Sequence, residues 1–246
     1  MIRTITFASC LLAAGSALAQ EVGSYPRCLD AIEQDADKGL QAALHWRDLG
    51  GGTPARHCAA IAYAATGQPR IAAAQLQALA EDLAENDTRA AADVMGQAAS
   101  MWTLGNEDDK AMTALNQAIA WQPEKPGLYL DRALLLASED RFGPAEQSAT
   151  KAIQLDELMV DAYAVRAMIR RQDGDLAGAE EDTATALALN PQHPHALMEQ
   201  ARSRARGGDM DGARADLTNL IARNPEAPYA ETARRLLEEL ELKYGG

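Results

Sequence analysis

The sequence has few aromatic residues, and this shortage limits the folds it can form. Aromatic side chains make up 4% of the 246 residues and only two of them are Phe, although hydrophobic residues reach 47%. The apolar content is therefore mostly Ala and Leu, which favour helices, while strong strand formers are scarce. We expect an all-α protein.

Basic charge is also in short supply. The chain carries 23 Lys and Arg against 36 Asp and Glu, a formal net charge of −13. A surface with this excess of negative charge repels phosphate backbones and anionic lipid headgroups. Nucleic acid and membrane surfaces are therefore not expected as the main partners.

Long apolar segments are lacking, and the one extended apolar run lies at the N-terminus. Arg3 precedes an apolar stretch over residues 5–18, which ends in Ala17-Leu18-Ala19. This order is typical of a secretory signal peptide with an A-x-A cleavage site, and the run is too short for a transmembrane helix. We expect cleavage after Ala19, export to a bacterial periplasm and no stable membrane insertion.

Cysteine is rare as well. Of the three cysteines, Cys10 lies in the apolar leader, where acylation would require a Leu three residues upstream that the sequence does not have. Cleavage leaves Cys28 and Cys58, and an even number of cysteines in an oxidising compartment favours a disulfide. Two buried free thiols are the alternative.

The sequence does contain a repeat. Segments 95–122, 129–156, 163–190 and 197–224 align without gaps at a spacing of 34 residues, each with the period of two short helices. A divergent unit lies 39 residues before the first of them, so about five residues are inserted around positions 81–89.

Small residues and turn residues keep this spacing. One set of alanines recurs at 99, 133, 167 and 201, and a second at 111, 145, 179 and 213. Between the two sets lies a turn residue each time: Asn106, Asp140, Gly174 and Gly208. We therefore expect paired helices that approach closely through alanine.

The pattern resembles the tetratricopeptide-repeat (TPR) family. Its aromatic, small, small, bulky and proline positions are occupied here by Tyr163, Ala167, Ala179, Leu187 and Pro191. The resemblance implies a right-handed α-solenoid of helix-turn-helix repeats with capping helices at both ends. It does not specify a function.

The repeat divides the chain into successive segments, which we expect to form one continuous domain. They are a signal peptide (1–19), N-terminal helices (24–52), a divergent repeat (53–91), repeats 92–125, 126–159, 160–193 and 194–227, and a C-terminal capping helix (228–244). The N-terminal segment is expected to form two short helices with a break near Gly39.

Motifs for catalysis and metal binding are missing from the sequence. There is no phosphate-binding loop, serine nucleophile motif or H-E-x-x-H, and His193 and His195 have no neighbouring ligands at metal-site spacing. His57 beside Cys58 could activate a thiol, although a disulfide is the simpler use of that cysteine. We therefore expect no enzyme activity, no metal and no cofactor.

The resemblance also points to a binding surface. In TPR proteins the side of the first helix that faces away from the second lines a concave groove for partner peptides. The corresponding residues here are Leu130, Asp131, Leu134, Asp161, Val165, Met168, Arg171, Met198, Arg202 and Arg206. They predict an apolar middle and a basic end. Two other readings remain open: the apolar residues contact the next helix, and the arginines are solvated near Glu199.

The sequence thus favours a scaffold that binds a protein or peptide partner in the cell envelope. A self-associating structural subunit is the main alternative. An enzyme with an unrecognised loop site is the weaker one.

Overall fold

The computed structural model describes residues 23–244, and the predicted signal peptide with its cleavage site lies outside this range. Residues 23–244 form thirteen α-helices and no β-strand, which confirms the all-α prediction. The helices are α1 (Tyr25–Gln34), α2 (Ala36–Asp48), α3 (Gly52–Ala65), α4 (Pro69–Ala84), α5 (Thr88–Leu104), α6 (Asp108–Trp121), α7 (Pro126–Ser138), α8 (Phe142–Leu155), α9 (Val160–Asp173), α10 (Leu176–Leu189), α11 (Pro194–Arg206), α12 (Met210–Arg223) and α13 (Pro228–Tyr244). Among them, none is long and apolar enough to cross a membrane.

The helices divide into two compact units, whereas the sequence predicts one continuous domain; that expectation stays a prediction. Unit 1 ends at Gln122 and contains α1–α6, whereas unit 2 starts at Pro123 and contains α7–α13. Within each unit every helix packs against the next one along the chain. Pro123 cannot continue α6 because it lacks a backbone N–H and restricts the preceding residue.

Left-handed turn residues separate the two helices of each pair. The backbone φ is 56° at Asn106, 58° at Asp140, 94° at Gly174 and 90° at Gly208. These are the four turn residues that the 34-residue spacing predicts. Gly, Asn and Asp enter this region at the lowest steric cost, which explains why only these types occupy the position.

Alanine lines the contact between paired helices. The predicted pairs Ala99 and Ala111, Ala133 and Ala145, Ala167 and Ala179, and Ala201 and Ala213 are all buried. Small side chains let two helix backbones approach, so each pair has only a thin core of its own. Stability must then come largely from neighbouring pairs, as in other repeat folds.

A disulfide joins the start of unit 1 to its first full helix pair. Cys28 on α1 is bonded to Cys58 on α3, with the two Cα atoms 6.4 Å apart and both side chains fully buried. The predicted pairing is therefore present, and the alternative of two free thiols is not. The bond closes a loop across 30 positions of sequence.

The break between the first two helices lies at Asp35, so the prediction of a break near Gly39 is wrong. Asp35 caps α2 by accepting a hydrogen bond from the backbone N–H of Lys38 at 3.0 Å. Gly39 is a buried residue within α2, where a Cβ would lie 2.5 Å from the Ile32 Cα. Glycine is needed there for the close approach of α1 and α2, and not for a turn.

The extra residues of the divergent repeat lengthen two helices. α4 has 16 residues and α5 has 17, whereas the helices of unit 2 before α13 have 13 or 14. The insertion is therefore absorbed as helix on either side of a short turn capped by Asp87.

The last helix covers the end of unit 2. α13 buries Ala230, Ala233, Leu236 and Leu240, and three of these join a core cluster with Leu217 and Leu220 of α12. The opposite side of α13 carries most of its charged residues. This arrangement agrees with the capping role expected from the sequence.

Candidate binding face of unit 2

Three first helices of successive pairs form a continuous surface within unit 2. α7 packs against α9, and α9 packs against α11. We call the side of α7, α9 and α11 that carries Asp131, Leu134, Val165, Met168 and Arg206 the helix-A face. Residues three or four apart in a helix lie on the same side, which places Asp131 beside Leu134.

The apolar part of this face is smaller than the sequence suggests. Leu134 is 42% exposed and Val165 and Met168 are half-buried, so all three offer apolar surface. Leu130 and Met198 are 9% and 4% exposed, and Met198 belongs to the core cluster beneath α13. These two residues therefore contribute to packing and add almost nothing to a binding surface.

The two acidic residues on the face differ in their environment. The Asp161 carboxylate accepts a hydrogen bond from His193 Nε2 at 2.9 Å, because His193 Nδ1 already accepts the backbone N–H of Ala196 at the start of α11. Asp131 is exposed, yet surrounding protein partly desolvates its carboxylate. This desolvation raises its pKa, and the attraction of Lys125 offsets the effect only in part.

The basic residues are largely neutralised within the protein. Glu199, whose side chain is 11% exposed, accepts a hydrogen bond from Arg171 Nε at 2.6 Å and another from Arg202 Nε at 3.3 Å. Arg202 also lies 3.9 Å from Glu239. Arg206, the last residue of α11, is exposed. The predicted basic end therefore has less net charge than its three arginines imply.

A buried ion-pair network lies behind this face and holds α9 in place. Asp182 of α10 accepts two hydrogen bonds from Arg166, at 2.9 and 2.7 Å, and one from Arg170 at 3.0 Å. Arg170 also donates to Glu146 of α8 at 2.7 Å. No sequence motif predicts this network, although the pairs Arg170–Asp182 and Arg204–Asp216 share one spacing and lie one repeat apart.

A separate cavity lies between α10 and α11. It has a volume of about 270 Å³ and is lined by Glu180, Thr183, Ala184, Gln200, Ser203 and Arg204. Ser203 already donates a hydrogen bond to Glu180 across it at 2.8 Å. Some of the polar groups that line the cavity therefore already hydrogen-bond to each other.

Sites for metal or thiol chemistry receive no support in the described part of the chain. Residues 23–244 contain no group of three or more His, Cys, Asp or Glu side chains placed to hold a metal ion. His57 does not serve a thiol, since Cys58 is in the disulfide. Its Nδ1 lies 2.7 Å from the Tyr25 hydroxyl and its Nε2 lies 2.8 Å from Gln97 Oε1.

Comparison with known proteins identifies the fold. No protein-family model and no curated protein matches the sequence. Among solved structures, PilF of Pseudomonas aeruginosa has a TM-score of 0.60 at 14% identity and covers 90% of this chain and 97% of its own. The C-terminal part of a TPR repeat-containing protein from Cytophaga hutchinsonii has a TM-score of 0.59 at 17% identity and covers 87% of this chain and 89% of its own.

MamA gives a third similar structure. Its TM-score is 0.56 at 18% identity, with 72% of this chain and 93% of the MamA chain covered. At these identities the similarity concerns the fold. Together with the repeat spacing and the left-handed turns, it confirms the TPR architecture.

Proposed function

The chain has the tetratricopeptide-repeat fold, and on that basis we propose that it is a non-enzymatic scaffold whose unit 2 binds a segment of a partner protein. The segment lies across the helix-A face, over α9 and in contact with α7 and α11. The ion pairs of Arg166 and Arg170 behind this face keep α9 fixed between α8 and α10. A preformed surface of this kind loses little conformational entropy when a partner binds.

The observation that carries the proposal is the exposed apolar surface of Leu134 on α7, together with the half-buried Val165 and Met168 on α9, the helix that packs against α7. Covering the 42% exposed surface of Leu134 would contribute about 1 kcal/mol, since complete burial of a Leu side chain contributes roughly 1.5–3 kcal/mol. Met168 adds a flexible, polarizable side chain that adapts to differently shaped ligands. A few such anchors supply most of the affinity of a typical interface.

We further propose that the protein acts after export, in the bacterial periplasm. The N-terminal leader that ends at Ala19 supports export. The bond between Cys28 and Cys58 supports the same compartment, because structural disulfides persist in oxidising surroundings. Edman sequencing of the protein purified from its native host checks the leader: we expect a mature chain that begins at Gln20, whereas a chain that begins at Met1 would contradict export by cleavage.

Affinity capture with a single substitution tests the binding face. Leu134→Glu places a charge in the apolar patch and should abolish capture of partners from a periplasmic extract. The matched control is Leu158→Glu, because Leu158 is 73% exposed in the turn between α8 and α9. Both variants should keep the helical circular dichroism of the wild type.

The comparison of the two variants decides the proposal. Loss of the same partners in both, or in neither, would show that the helix-A face is not the binding site. Light scattering of the mature wild-type chain distinguishes the proposed scaffold from the remaining alternative, a self-associating subunit. A monomer at micromolar concentration agrees with a scaffold, while concentration-dependent growth would favour the self-associating subunit.

A further inference from the structure

Most charged side chains of the helix-A face have a bonded partner within unit 2, but two do not. Asp161 bonds to His193, and Glu199 holds Arg171 and Arg202. Within residues 23–244, by contrast, the side chains of Asp131 and Arg206 form no hydrogen bond or ion pair, although Lys125 attracts the Asp131 carboxylate. The face therefore presents one charged side chain without a bonded partner at each end, Asp131 on α7 and Arg206 on α11, with the apolar patch between them.

Asp131 is the more informative of the two charges. It is the sixth residue of α7 and lies one turn before the exposed Leu134. Its carboxylate is desolvated by nearby protein without receiving a hydrogen bond in return, which raises its pKa. A cationic side chain of a partner would restore the lost solvation with a charged hydrogen bond.

Arg206 lies at the far end of the same face. It is the last residue of α11 and follows Arg202 by one turn, so the two side chains leave the helix on the same side. Glu199 engages Arg202 but not Arg206. Since Arg206 is exposed and its charge is not neutralised, it can meet a carboxylate at the edge of the patch.

The separation of these charges sets a length for the ligand. Packed helices lie about 8–10 Å apart, so the axes of α7 and α11 are roughly 16–20 Å apart across α9. Asp131 lies earlier along its helix than Arg206 does, which adds an axial offset of about 10 Å at 1.5 Å per residue. The resulting distance of roughly 20 Å corresponds to about six residues of extended chain.

We propose that the partner segment carries a Lys or Arg that pairs with Asp131 and, about six residues away, an Asp or Glu that pairs with Arg206, with apolar side chains between them on Leu134, Val165 and Met168. This inference rests on the proposed function and names the chemistry of its ligand. The protein's net charge of −13 also favours approach of the cationic end. Arg171 and Arg202 are not assigned to the ligand, because both are bonded to Glu199.

The probe is a synthetic peptide, acetyl-Gly-Lys-Ala-Leu-Ala-Leu-Gly-Glu-Gly-amide, in which Lys and Glu are six residues apart. Binding to the full mature chain is followed by amide NMR titration, which detects weak complexes. Companion peptides replace Lys by Gln, replace Glu by Gln, or move Glu to within two residues of Lys. The protein variants are Asp131→Asn and Arg206→Gln.

The expected result is a pair of specific couplings. Replacing the peptide Lys should weaken binding to the wild type roughly tenfold and leave binding to Asp131→Asn unchanged. Replacing the peptide Glu should weaken binding roughly threefold in the wild type and not in Arg206→Gln. Asp211→Asn is the matched charge control, because Asp211 lies on α12 with a 99% exposed side chain.

Three outcomes would overturn the inference, and they bear differently on the proposed function. If Leu134→Glu abolishes peptide binding but neither coupling appears, the charge pattern is wrong while the binding face stands. If Asp211→Asn weakens binding as much as Asp131→Asn does, the attraction is non-specific and the pairing is wrong. If none of the peptides shifts the amide signals of α7, α9 or α11, both the inference and the binding face are contradicted.

Discussion

Substitution of the buried Asp182 should strongly lower the stability of unit 2. Its side chain is 3% exposed and holds two guanidinium groups, those of Arg166 and Arg170. Asp182→Asn keeps the shape of the side chain and removes its charge. Arg166 and Arg170, whose side chains are 14% and 19% exposed, would then remain half-buried with less compensation.

The size of the effect follows from the contacts that remain. Removing one member of a buried ion pair costs about 3–5 kcal/mol, because the other charge stays desolvated. Arg170 keeps Glu146 at 2.7 Å and Arg166 keeps the Thr150 hydroxyl at 3.1 Å, so we expect the lower end of this range. Unit 2 should therefore lose about 3 kcal/mol of stability.

Asp216 provides a control at the same position one repeat later. Its side chain is 16% exposed and it pairs with a single arginine, Arg204. Asp216 Oδ2 lies 2.9 Å from Arg204 Nη1, but this oxygen is buried and accepts no well-aligned hydrogen bond. Desolvation raises the pKa of the Asp216 carboxyl group. Asp216→Asn should therefore cost less than about 1 kcal/mol.

Hydrogen exchange measured by mass spectrometry at neutral pH distinguishes the two substitutions. Asp182→Asn should accelerate the exchange of protected amides in α9 and α10 about a hundredfold, the equivalent of roughly 3 kcal/mol. Asp216→Asn should change exchange in α11 and α12 less than tenfold. If the two substitutions accelerate amide exchange equally, or if Asp182→Asn accelerates it less than tenfold, the buried ion pairs of Asp182 do not hold α9 in place.

Three further predictions concern other parts of the chain. Replacing Cys28 and Cys58 by Ser should destabilise unit 1 by about 3–4 kcal/mol in the chain-entropy model for a loop across 30 positions, and an unchanged urea midpoint would contradict this. Gly39→Ala should lower the melting temperature markedly because its Cβ would meet the Ile32 backbone, whereas Gly143→Ala, with open space around it, should not. Asp131→Asn should remove one pH-dependent contribution to the free energy of unfolding. Because the pKa of Asp131 is raised in the folded state, this residue adds stability at pH values below its ordinary pKa of 3.8. The added stability is lost as the pH rises through the folded-state pKa. Urea unfolding at several pH values checks the last point, and parallel curves for the two proteins would contradict it.

The repeat made much of the fold predictable. Asn106, Asp140, Gly174 and Gly208 mark the turns because only a few residue types tolerate a positive φ, and this local rule does not depend on tertiary contacts. The predicted helix break near Gly39 was wrong because glycine can serve either a turn or the close approach of two helices. Its role in the close approach of α1 and α2 depends on a packing geometry that spacing alone does not contain.

The residues of the proposed binding face were less predictable. An angle of 100° per residue assigns Met198 to the outer side of its helix, but α13 and α12 cover that position in the structure. The sequence left open whether Arg171 and Arg202 form a basic end or are solvated near Glu199, and in the structure the Glu199 carboxylate bonds both. Which positions of a first helix remain exposed depends on its neighbours, and only the tertiary structure supplies that information.

Site-specific photocrosslinking in the native host tests the central claim most directly. A photoreactive p-benzoylphenylalanine at Val165, in the middle of the helix-A face, should form adducts with partner proteins, and the additional substitution Leu134→Glu should remove them. The same group at Glu181, which is exposed on α10, should form none of these adducts. Adducts at Glu181 but not at Val165, or Val165 adducts that persist with Leu134→Glu, would contradict binding at this face.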